Sequence, residues 1–139
     1  MTSRIFETVT LKPPADWVDA SVISFVAPKI ENFQANMVVT QHHIGDLSLT
    51  QYAQRQSEEF SDEVLDYDLH QGTEHEIDGQ TAYTLEHSFL ADDPVRVQQL
   101  ILFIQKDGAV YSVACTHAAN EFDAMRAVFE ETVSSFRIK

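Results

Sequence analysis

Apolar positions in this chain recur with two different periods. A period of two marks strands from Ile5 to Leu11, closed by Pro13-Pro14, from Ser21 to Ala27, closed by Pro28, and from Asn36 to His42. The period then lengthens. Leu49, Tyr52, Ala53, Gln56, Phe60 and Val64 recur at three and four, with Gln54, Arg55, Glu58, Glu59 and Asp62 on the other side. Ser48-Leu49-Thr50-Gln51 reads as a capping box, so this helix is expected to start at Ser48. Alternation returns from Tyr67 to Ile77 and from Gln80 to Leu90, joined by Asp78-Gly79, a two-residue turn whose central positions both need positive φ. Val95 to Gln105 and Ala109 to His117 follow, joined through Lys106-Asp107-Gly108. The last segment is expected to be a helix capped by Asn120, with Phe122, Met125, Phe129, Val133 and Phe136 on one face.

The implied fold is one α+β domain over residues 1–139, an antiparallel β-sheet of about seven strands with two helices in the order β-β-β-α-β-β-β-β-α. Val95, Val97, Gln99, Ile101 and Phe103 point to one face of their strand, and Leu100, Leu102 and Ile104 to the other. Both faces of that strand therefore need cover. Two helices can cover one face, which leaves the second for a groove, a dimer contact or further internal packing.

Composition narrows the function. Hydrophobic residues make up 44% and charged residues 22% of the 139, a globular balance. A formal net charge of −13 opposes binding to phosphate backbones and anionic lipid. No apolar run is long enough to span a membrane, no secretory h-region is legible near Met1, and Cys115 is the only cysteine; cytoplasm is the expected location. Acidity, the absence of catalytic motifs and a doubly apolar sheet point to a protein that binds polypeptides.

Four stretches carry a family resemblance over nearly the whole chain. They are Leu11-Lys12-Pro13-Pro14-Ala15-Asp16-Trp17, Asp19-Ala20-Ser21-Val22, Tyr52-Ala53-Gln54-Arg55-Gln56 and Val97-Gln98-Gln99-Leu100-Ile101-Leu102-Phe103-Ile104. In order and spacing the sequence resembles the effector-associated (Eag) chaperones of bacterial type VI secretion, within the DcrB and PsbP-like group of α+β domains. That resemblance implies a homodimer whose concave surface holds hydrophobic N-terminal transmembrane helices of a secreted effector, without cofactor or catalysis. Carried over by position, the effector-helix groove takes Val22, Ser24, Val38, Gln56, Phe60, Val64, Val95 and Gln99. Ser24 and Phe60 depart from the family tendency to an aliphatic and a small residue there. Gln56 and Gln99 are expected to hydrogen-bond the client helix.

Other chemistries have thinner support. Among six histidines, the register set by Asp78-Gly79 would place His70 opposite His87, a pair that could supply two metal ligands but lacks a third. Cys115 and His117 share one face of a strand and could be read as nucleophile and base, although a cysteine in such a strand is usually a small hydrophobe. Enzymatic activity is not expected. A different protein partner, such as a small GTPase, is the alternative on the same superfold.

Overall fold

The computed structural model describes residues 10–17, 22–28, 33–91 and 94–138. In chain order the elements are β1 (Ile23–Val26), β2 (Asn36–His43), α1 (Leu49–Glu63), β3 (Leu65–Ile77), β4 (Gln80–Leu90), β5 (Arg96–Lys106), β6 (Ala109–Ala118) and α2 (Ala119–Ser134). The strands form a single antiparallel sheet in the order β1-β2-β6-β5-β4-β3. The described residues thus contain six strands rather than about seven. Of the expected first strand, residues 5–9 lie outside the described residues, and Thr10 and Leu11 belong to no strand.

Local chemistry accounts for most of the boundaries. At the start of α1 the Gln51 amide donates to Ser48 Oγ and the Ser48 amide to Gln51 Oε1, each at 3.1 Å, closing the expected capping box. Asp78 and Gly79 have φ of 51° and 79°, and Asp107 and Gly108 have 54° and 75°, so both tight hairpins use paired left-handed residues. Asn120 is not the cap of α2. Strand β6 runs to Ala118, which occupies the cap position without a side-chain hydrogen bond, and Asn120 already lies in the first turn.

The two helices do not share a face. Leu49 and Ala53 of α1 pack with Tyr83, Leu85, Phe103 and Val110 on one side of the sheet. Phe122 and Phe129 of α2 pack with Leu100, Val113 and Cys115 on the other, and Val133 and Phe136 extend that layer to Leu102 and Ile104. Strand β5 is consequently buried from both sides, as its continuous apolar run requires.

Gly72 in β3 leaves room for the Tyr83 side chain of β4. A Cβ there would overlap the hydroxyl oxygen of Tyr83, a ring that is itself buried in the core beneath α1. Its φ is not in the left-handed region, so the requirement is space rather than backbone conformation. Gly72→Ala is expected to lower the unfolding free energy by about 1–3 kcal/mol in urea denaturation, the usual cost of overpacking. Adding Tyr83→Phe should recover part of that loss by removing the overlapping atom.

Candidate functional site

Strand alternation concentrates uncharged residues on the α1 side of the sheet. The registers place Ser24 beside Val38, Val38 beside Ala114, Thr40 beside Ser112, Ala114 beside Ile101 and Gln99 beside Thr116. On β1, β2, β4, β5 and β6, no Asp, Glu, Lys or Arg falls on this face. Helix α1 lies over β3, β4 and β5 and reaches β6 at Val110. A cleft of about 340 Å³ lies elsewhere, against α2; the one beside α1 measures about 200 Å³. The latter is walled by Tyr52, Gln56 and Phe60 of the helix and floored by Thr40, Gln99, Ile101, Ser112 and Ala114.

Of the eight groove residues expected from sequence, Gln56, Phe60 and Gln99 line this cleft together. Val38 and Ser24 continue its floor outward along the same face. Val22 precedes β1 and is 57% exposed. Val64 caps the C-terminus of α1, donating its amide to the Phe60 carbonyl, and Val95 precedes β5, its carbonyl accepting from the Ala91 amide. Both are half-buried and neither lines the cleft. Tyr52, Thr40, Ser112 and Ala114 were not anticipated. Counting by twos from Val38 reaches Thr40, and the β2–β6 register then reaches Ser112 and Ala114.

Gln99 is not available to a client in the way expected. Its Oε1 accepts from His87 Nε2 at 2.7 Å and its Nε2 donates to Thr116 Oγ1 at 3.0 Å. With the ring donating from Nε2, His87 Nδ1 accepts from the Tyr67 hydroxyl at 2.8 Å, and that hydroxyl accepts from Ser57 Oγ at 2.7 Å. One hydrogen-bonded chain therefore crosses α1, β3, β4, β5 and β6. His87 is 1% exposed and Phe60 stacks on its ring with centroids 4.9 Å apart. Burial, the largest effect, holds the His87 pKa below its ordinary value.

The expected His70–His87 pair does not form. The β3–β4 register shifts between Leu69 and Gln71, so His87 faces Leu69 and His70 is the extra residue. The bulge sends His70 to the opposite face, where its Nε2 lies 2.8 Å from Ser88 Oγ. Among the described residues no group of three metal-ligating side chains converges. Cys115 is fully buried and desolvation pushes its thiol up to about 12, which keeps it protonated at neutral pH.

On the α2 side, Arg126 grips Glu86 through two hydrogen bonds of 2.9 and 2.8 Å, and Gln98 donates a third at 2.7 Å. Arg126 hydrogen bonding holds the Glu86 carboxyl below its ordinary value. The pair lines the 340 Å³ cleft with His75, Glu130 and Val133. This face carries charge on β4 and β5, where the α1 face of the same strands carries none.

Residues 9–135 match the DcrB family. The chain belongs to that family. Among solved structures, PA94 of Pseudomonas aeruginosa, a protein of unknown function, superposes with a TM-score of 0.84 at 20% identity, covering 99% of this chain and 95% of its own. The cyanobacterial PsbP of Synechocystis sp. PCC 6803 gives 0.61 at 18%, covering 93% and 99%. LpqN of Mycobacterium tuberculosis, described as involved in cell envelope biogenesis, gives 0.55 at 13%, covering 81% and 77%. These likenesses establish a PsbP-like fold for the DcrB domain. No functionally curated protein matches the sequence. No helix among the described residues is long and apolar enough to cross a membrane.

The two shifted groups set the acid limb of stability. His87 is depressed from 6.5, so its contribution is complete above that pH and is lost below it as the unfolded chain binds a proton the folded ring resists. Glu86 is depressed from 4.5, so its contribution is complete above that value and is lost as pH falls through its folded pKa. Urea denaturation across pH is expected to show both declines in wild type and only the lower one in His87→Gln.

Proposed function

We propose that this DcrB-family protein is a non-enzymatic chaperone that holds an apolar α-helix of a client polypeptide on its α1-side sheet face. In the family terms of the sequence resemblance, the client is the hydrophobic N-terminal region of a type VI secretion effector. The observation carrying this reading is an uncharged face on five strands of a chain whose net charge is −13. A charge-free surface beside Phe60 and Tyr52 suits a segment that has itself excluded charge, and each large client side chain buried there contributes roughly 1.5–3 kcal/mol. Gln56, which lines the cleft, is the amide best placed to meet a polar group on such a helix.

The homodimer implied by the resemblance has a candidate surface. At the β1 end, Val22 and Val26 are 57% and 63% exposed, and Val128 of α2 adds a further apolar side chain at 47%. Phe25, Val26, Met37, Met125 and Val128 border one shallow apolar depression. This patch opens mainly on the α2 side of the β1 edge, where a second copy would dock about a two-fold axis and leave the α1-side face uncovered.

Co-expression with the N-terminal segment of a neighbouring effector tests the client site. Val38→Asp places a charge on the uncharged floor and should reduce co-purified client at least about tenfold, the equivalent of about 1.4 kcal/mol. Undiminished recovery with both Val38→Asp and Phe60→Asp would refute the assignment. For the dimer, Val26→Glu combined with Val128→Glu should halve the mass measured by light scattering; a wild type that is monomeric at micromolar concentration would reject it.

A further inference from the structure

The chain of hydrogen bonds behind the cleft has an unusual composition. It joins Ser57, Tyr67, His87, Gln99 and Thr116, one residue from each of five elements, and no member is a carboxylate or a permanent cation. Buried histidines are commonly oriented by a carboxylate, which would also stabilise the imidazolium. Here both ring nitrogens are held by neutral groups, and the flat of the ring is covered by Phe60, with Tyr67 and Phe89 at its edges.

We propose that His87 is a pH-responsive latch that holds Phe60 and Gln99 in the cleft wall while uncharged and loosens that wall when protonated. This deepens the client-binding reading and rests on it for its biological use. Protonation adds a second N–H at Nδ1, where the Tyr67 hydroxyl now donates. The hydroxyl must then turn, accept from the ring and donate to Ser57 Oγ. The charge remains 99% buried with no anion beside it. Facing groups offer little relief. Helix α1 presents Ser57 and Phe60, β5 presents Gln99 and β6 presents Thr116, none of which titrates, and β2 adds His42 to the same cleft, a side chain that brings no negative charge. Strand β3 presents Tyr67, and the nearby His70, when charged, repels the imidazolium. Asp68 lies 3.8 Å from His70 and Glu86 is taken by Arg126, both away from the His87 ring.

The stacked cover of the ring is part of the cleft wall, since Phe60 and His87 both line the cleft. Phe60 belongs to the last turn of α1, is only half-buried, and contacts His87 and Phe89 at 4.9 Å each. Displacing it widens the cleft at the end where Gln56 sits one turn earlier. Protonation and cleft opening are thereby the same event.

NMR titration of the protein alone tests this. Phe60 ring resonances should shift with the same midpoint as the His87 imidazole, below 6.5, and an apolar fluorescent dye should bind severalfold more at about pH 5.5 than at about pH 7.5. In His87→Gln, whose amide keeps the site neutral, the Phe60 response and the dye increment should both vanish. A His87 midpoint at or above 6.5, Phe60 resonances that do not follow it, or an unchanged pH response in His87→Gln would each overturn the latch. If that variant does not fold, the wild-type titration decides alone. No client is present in these measurements, so failure of the latch and failure of client binding in co-expression are separate results.

Discussion

Everything in this molecule follows from how little two helices can cover. Six strands about 4.8 Å apart make a sheet about 24 Å wide, whereas a helix with its side chains spans about 10 Å. Strand β5, apolar on both sides, needs cover above and below, so the helices are placed on opposite faces rather than together on one. Each shields the middle of the sheet and a flank. The uncovered flanks lie diagonally across from each other, and these are where the two clefts occur.

The flanks differ in chemistry because alternation sorts residues by face. On the α2 side the open flank contains Glu86, buried but fully committed to Arg126 and Gln98, an arrangement that tolerates burial only because each carboxylate oxygen is paired. On the α1 side, the open flank offers hydroxyls, amides and the imidazoles of His42 and His87, and many of these groups are bonded to each other. Such a surface is wettable enough to remain exposed yet asks little of an apolar helix in lost hydration.

Much of the fold was legible because its signals are local. Ser48 and Gln51 specify a helix start by contacts three residues apart, and the Asp-Gly turns fix hairpins through φ alone. Asn120 misled because a good capping residue was present where the chain needed none: β6 passes straight into α2. His70 misled for a different reason. A single bulge between Leu69 and Gln71 reverses the face of that side chain, and nothing local announces it. The candidate site was half legible. Gln56, Phe60 and Gln99 meet as expected, while Val64 and Val95, on the same helical stripe and strand parity, fall at element ends that turn them out of the cleft. That Gln99 is consumed internally could not be read without knowing that His87 and Thr116 flank it in register.

The two edges of the sheet are finished differently. Strand β3 runs for 13 residues, carries Asp66, Asp68, Glu74 and Glu76, and is kinked by bulges, a combination that discourages another strand from docking. Strand β1 is four residues long and carries no charge at all. A sheet with one repellent edge and one permissive edge cannot be extended indefinitely. Among the described residues, a second copy pairing at β1 would present its own charged and bulged β3 at the far side, which opposes growth by edge-to-edge addition.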